Sequence, residues 1–208
     1  MSAPTDPMRI EVVCTGNVCR SPYVQVRLQA ALDAVAPGSF AVTSSGTHAL
    51  RAYRPERGTR RALADRGLVA TGLRSRQLTP TILQGAGLVL VMDDVQRVNV
   101  IDEHVAAAPR TFLINEFARL LQSLGAEQAW SERLRDIPAD DARSRWKAVT
   151  RTAHQARGRF PATADEAVPD PYKQKDSAFD AMADELDRAL SALVELERQA
   201  RRDDRAAS

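Results

Sequence analysis

Six consecutive residues, Gly87–Met92 (GLVLVM), constrain this chain most. After the leading glycine the run is wholly apolar, and a strand with no polar side chain on either face has to be covered on both. Parallel sheets sandwiched between helices meet that condition. The rest of the chain agrees with it. Arg9–Cys14 (RIEVVC) reads as a first strand, Phe40–Thr43 as a second, and Arg110–Ile114 (RTFLI) as a fourth. Between them lie segments of helical period. Tyr23–Val35 places Val24, Leu28, Ala31, Leu32 and Val35 on one face, and Pro55–Arg66 is stopped by Gly67. Pro22 is expected as a first helical residue with Ser21 as its N-cap, and Asp93 as the N-cap of a helix reaching about Asp102. The expected fold class is α/β: a four-stranded parallel sheet flanked by helices, with ligand sites at the carboxyl ends of its strands.

Beyond the fourth strand, residues 115–158 read as helical with a break near Pro138, and Trp130, Leu134 and Trp146 bury part of that stretch. A last helix starts at Asp176 or Ser177 and carries the apolar stripe Phe179, Met182, Leu186, Leu190, Leu193 and Val194. A length of 208 residues suits one domain. The expected division is a lead-in over 1–8, a single domain over 9–197, and a flexible tail over 198–208, where no apolar face remains.

Charge and composition exclude several functions. The formal net charge is only +2, from 29 basic and 27 acidic residues, so no global field draws nucleic acid. No apolar run reaches the roughly 18 residues of a membrane span, and the N-terminus lacks the basic-then-apolar pattern of a secretory leader. With Cys14 and Cys19 as the two cysteines, a reducing, cytoplasmic location is expected. His48, His104 and His154 have neither i, i+4 pairing nor a cysteine at zinc-ligand spacing, so they read as surface or cap residues and no metal is expected. The sequence assigns no oligomeric state.

Chemistry concentrates in Val13–Pro22, VCTGNVCRSP, between the first strand and the first helix. A loop of this length can curl so that Thr15, Gly16, Asn17, Val18 and Cys19 turn successive N–H groups inward, above a helix N-terminus, to make a concave phosphate-binding loop. Gly16 is free of side-chain restrictions, and Asn17 tolerates left-handed geometry. Arg20 adds a planar fork matched to two phosphate oxygens. Cys14 lies under the bound phosphorus, where the same donors favour a thiolate over a thiol. Cys19 is within reach of Cys14 and reads equally well as a packing thiol or as the partner in a reversible disulfide.

This segment resembles the low-molecular-weight protein tyrosine phosphatase family, whose Cys-x-Gly-Asn-x-Cys-Arg-Ser-Pro signature runs unbroken from Cys14 to Pro22. Ser44–His48 (SSGTH), Arg76–Thr79 (RQLT), Leu90–Asp93 (LVMD) and Val168–Tyr172 (VPDPY) follow in the family's order. The resemblance covers most of 9–113 and 165–195. It implies hydrolysis of phosphotyrosine in protein substrates through a phosphocysteine on Cys14. Arg20 and the loop amides would stabilise the transition state, Ser21 would hydrogen-bond the thiolate, Asn17 would hold the loop's shape, and Asp170 would be the general acid. Tyr172 would flank the substrate ring, with no metal or organic cofactor. Family members are shorter, so the stretch from about 119 to 165 is expected as an extra helical insertion. Leu50 stands where the family often has an aromatic, with Tyr53 three residues later as a possible substitute. Lys173 stands where a second aromatic is common. The competing readings are arsenate reduction with external thiols and a non-catalytic phosphoprotein-binding module.

Overall fold

The computed structural model describes residues 6–162 and 164–202, in which strands and helices alternate. Strands β1 (Met8–Cys14), β2 (Phe40–Gly46), β3 (Leu88–Val91) and β4 (Thr111–Leu113) form one sheet in the order β2-β1-β3-β4. Every neighbouring pair is parallel. Alternate side chains leave a strand on opposite faces. Ile10, Val12, Cys14, Leu88, Leu90 and Phe112 enter a large core, while Val13, Val89, Val91 and Leu113 enter a smaller one on the other face. The large core is closed by helices α1 (Arg20–Asp33) and α2 (Arg57–Ala64), with others described below. The small core is closed by α3 (Pro80–Gly85), α4 (Asp94–Glu103) and a 3-10 turn at Val105–Arg110. The apolar GLVLVM run is thus covered on both sides, as its composition demands.

Several boundaries differ from expectation for physical reasons. Helix α1 starts at Arg20 with Cys19 in the N-cap position and no side-chain cap. Ser21 is therefore not a cap, and its hydroxyl is used inside the site. Pro22 falls third in the helix, still within the first turn, whose N–H groups have no intrahelical acceptor. Asp93 does cap α4, its side chain accepting from the Gln96 N–H at 2.8 Å. Helix α3 and the 3-10 turn are too short to show a periodic pattern in the sequence.

The segment after β4 forms α5 (Ile114–Glu127), α6 (Trp130–Leu134) and α7 (Ala142–Ala156), with Pro138 between the last two. Trp130, Leu134 and Trp146 are buried in the large core. The final helix, α8 (Asp176–Arg202), packs across α5, α6 and α1. It runs past residue 198, where a tail was expected to begin. Glu197 explains the continuation. It is fully buried, ion-paired to the equally buried Arg145 of α7, and accepts from the Trp146 indole N–H at 2.9 Å. A carboxylate that looks like the end of an apolar face is the pin between two helices. Residues 203–208 of the expected tail and 1–5 of the lead-in lie outside the described residues. Among the described residues no helix is long and apolar enough to cross a membrane.

Chain connections diverge on either side of β1: β2 lies to one side, β3 and β4 to the other. In open α/β sheets such a reversal leaves a crevice at the carboxyl ends of the strands. Here that crevice is bounded by the residues after Cys14 and by Asp93, two residues beyond the end of β3.

Candidate active site

The loop between β1 and α1 is held by its carbonyls. Those of Cys14, Thr15, Gly16 and Val18 accept from the N–H groups of Thr47, His48, Leu50 and Glu56, at 2.9–3.1 Å. A peptide plane that turns its C=O outward turns the N–H of the next residue the opposite way. The strap over 47–56 therefore directs the N–H groups of Thr15, Gly16, Asn17 and Cys19 to the inner side of the loop. Asn17, not Gly16, takes the left-handed conformation, with φ of 55°. The close approach of backbone to backbone is made by Gly46 at the end of β2. A Cβ there would sit 2.5 Å from the Thr15 carbonyl oxygen and 3.1 Å from the Asn17 nitrogen.

Side chains behind the loop form a directed network. Asn17 Nδ2 donates to Ser21 Oγ at 2.9 Å and to Ser44 Oγ at 2.8 Å, while its Oδ1 accepts from the Arg76 N–H at 2.9 Å. Ser44 Oγ in turn donates to Gln25 Oε1 at 2.7 Å. Ser21 accepts from Asn17, and its Oγ lies 3.0 Å from Cys14 Sγ, within reach to donate to the sulfur when it is ionised. The Ser21 hydroxyl is thus placed through Asn17 by Ser44 of β2 and by the Arg76 backbone. Burial, reinforced by the charges of Asp170, Cys14 and Glu56, pushes the Cys19 thiol well above its ordinary range, so that thiol stays protonated. Both cysteines are free thiols.

Arg20 is buried at 3% exposure and its guanidinium is held at three points. Nη2 donates to Asp170 Oδ2 at 2.7 Å, and Nη1 donates to the Val168 carbonyl at 3.0 Å and lies 3.4 Å from Asp93 Oδ2. Its Nε is buried without an acceptor among the described residues. Asp170 Oδ1 in turn accepts from the Tyr172 N–H at 3.1 Å. Segment 164–172 is tied down from other elements. The Val168 N–H donates to the Met92 carbonyl at 2.8 Å. Asn115 Nδ2 donates to the Glu166 carbonyl at 3.2 Å, and Arg119 Nε pairs with Glu166 Oε1 at 2.5 Å.

The family model described as "Low molecular weight phosphotyrosine protein phosphatase" matches residues 9–126. The chain belongs to this family. "Probable low molecular weight protein-tyrosine-phosphatase EpsP" of Ralstonia nicotianae is 35% identical over 107 residues, 51% of this chain and 70% of that one. A "Protein-arginine-phosphatase" of Geobacillus stearothermophilus is 31% identical over 111 residues, 53% of this chain and 72% of that one. Among solved structures, the tyrosine phosphatase Wzb of Escherichia coli K30, in complex with sulphate, superposes with a TM-score of 0.62. It covers 90% of this chain and 96% of its own, at 22% identity, which speaks to the fold. The family match ends inside α5, so α6 and α7 lie beyond it.

In this family member, a cavity of about 150 Å³ opens at the loop, lined by Cys14, Thr15, Gly16, Val18, Cys19, His48, Leu50, Asp170 and Tyr172. Asn17, Arg20 and Ser21 are buried behind it and are not among its lining residues. Tyr53, offered by the sequence as a substitute ring, is 61% exposed and does not line the cavity. Leu50 does line it, packed with Val18, Cys19 and Phe179. Tyr172 stands at the mouth with the Lys173 ammonium 5.4 Å from its ring centroid. Sequence reasoning missed three neighbours. His48, set aside as a surface residue, lines the cavity, and its place in SSGTH was the available signal. Asp93, which the sequence marks only as the cap of α4, turns its second oxygen to Arg20. Gln96 joins Asp93 Oδ2 at 2.7 Å to Thr15 Oγ1 at 3.3 Å, with nothing in its local sequence to mark it.

Proposed function

We propose that this protein is a cysteine-dependent phosphomonoesterase that hydrolyses phosphotyrosine in protein substrates, with Cys14 as nucleophile. The observation that carries the reading is Cys14 Sγ 3.0 Å from an oriented Ser21 hydroxyl, in a cavity shared with Asp170 and rimmed by inward N–H groups. The thiolate attacks phosphorus, the S–P bond forms, and the bond to the aryl oxygen breaks as Asp170 delivers a proton to that oxygen. Water then attacks the phosphocysteine, Asp170 takes its proton, the S–P bond breaks, and inorganic phosphate leaves. Loop amides and Arg20 stabilise the equatorial oxygens in both steps.

The Arg20–Asp170 pair gives the cycle a resting state. An incoming phosphoryl dianion competes with the carboxylate for the guanidinium, and the unpartnered Nε is a further donor that displacement of the carboxylate would offer it. Asp170, freed from Arg20, takes up a proton from solvent and is then able to deliver it to the leaving oxygen. Tyr172 at the mouth supplies a flat apolar surface against a substrate ring. A second substrate, phosphoarginine, is favoured by the Geobacillus relative's name and by the aliphatic Leu50 wall, which selects for no ring.

The test is turnover of an aryl phosphate by wild type beside Cys14→Ser. The expected result is hydrolysis by wild type and a loss of about four orders of magnitude or more in the variant. No turnover by wild type, or equal turnover by both, contradicts the reading. Release of phosphate from phosphotyrosine and phosphoarginine peptides under one condition then ranks the two substrates.

A further inference from the structure

At the opposite end of the sheet, the amino ends of β1 and β3 border a cavity of about 480 Å³. Its walls include Arg9 of β1, Arg110 at the end of the 3-10 turn, Arg143 and Lys147 of α7, and the backbone of Gly85–Gly87. We propose that this cleft is a second anion site, built for a small non-aromatic ligand carrying two or more phosphate groups.

Four cations face one carboxylate there, Asp6, which lies 3.5 Å from Arg143. The whole chain has a formal net charge of only +2, so this concentration is local and does not follow from a basic composition. Arg143 and Lys147 are four residues apart and so share one face of α7. Arg110 is the least expected of the four. Its guanidinium is half-buried and held by the carbonyls of Ala106 and Leu83, and its Nε is buried without an acceptor among the described residues. Burial also disfavours its charged form. A half-buried guanidinium fixed in direction by two carbonyls, with no ion pair among the described residues, leaves its Nε for a ligand that supplies an acceptor.

Size and lining set the ligand class. The volume lies in the range of small-molecule sites, and no aromatic side chain lines it to stack on a base or ring. Cations from three separate elements exceed what a single phosphate needs and match an oligophosphate. The cleft is also distinct from the Cys14 loop. Arg9 and Cys14 are five residues apart along β1, roughly 16 Å in an extended strand. Helix α7, which supplies two of the cations, lies beyond the part of the chain that matches the family.

The test is a titration of the full chain with inorganic tripolyphosphate at physiological salt, followed by amide resonances. The expected result is saturable shifts at Gly85, Ala86, Gly87, Arg143 and Lys147. Arg143→Glu/Lys147→Glu, on the exposed side of α7, should weaken that midpoint about tenfold or more, and leave the midpoint at residues 15–20 unchanged. Arg110→Ala should weaken it as well. Shifts confined to residues 14–21, an unchanged midpoint in the double variant, or equal shifts with sulfate at the same concentration would each overturn the proposal.

Discussion

The loop after β1 and the segment around Asp170 meet at one ion pair, Arg20 to Asp170 at 2.7 Å, yet they are positioned in different ways. The loop is nearly self-contained. Cys14, Asn17, Arg20 and Ser21 lie within eight consecutive residues, and the strap that turns the carbonyls outward comes from one neighbouring stretch, 47–56. Segment 164–172 has no regular structure of its own. Its place is set from β3 through Met92, from α5 through Asn115 and Arg119, and from α1 through Arg20. A contiguous motif holds the nucleophile, and long-range contacts hold the acid. The two halves can therefore fail separately.

Separate failure is measurable, because proton donation matters most for a poor leaving group. Asp170→Asn should give the largest split: about a thousandfold loss of kcat/KM, which reports the first transfer alone, on phenyl phosphate and under about tenfold on an activated nitrophenyl ester. Equal losses would return Asp170 to a purely structural role. Gly46→Ala attacks the other half. Its methyl would overlap the Thr15 carbonyl, displace the anion cradle, and lower kcat on both esters alike, by about a hundredfold. A loss seen only with phenyl phosphate would mean that the loop and the acid are not independent. Arg119→Ala, which frees Glu166 some distance from the reacting atoms, should cost about tenfold on phenyl phosphate with KM and the activated ester unchanged. A rise in KM for both esters would instead make Arg119 part of substrate binding.

The same contrast explains what could be read in the sequence. The sheet was legible because GLVLVM and the neighbouring runs are short, apolar and separated by helical periods. The cradle was legible because its chemistry is local in the chain. Asp170 was reached through a family resemblance and not through its own surroundings, since Asp-Pro is ordinary turn chemistry. Asp93 and Gln96 were not legible as site residues, because a polar side chain near a strand end satisfies local rules whatever it faces in space, whereas His48 was marked by its place in SSGTH. Tyr53 failed for the converse reason: proximity in sequence to Leu50 did not turn its ring toward the cavity. Glu197 shows the limit of amphipathic reading. A buried acid is invisible to an apolar stripe when its partner, Arg145, lies 52 residues away.

The most direct measurement is a rapid-quench experiment on Asp170→Asn with an activated aryl phosphate, followed by mass analysis of the Cys14 peptide. The expected result is a burst of phenol near one equivalent and a phosphoryl group on Cys14 and on no other residue. A phenol time course with no burst, together with an unmodified Cys14 throughout turnover, would contradict covalent catalysis by this sulfur.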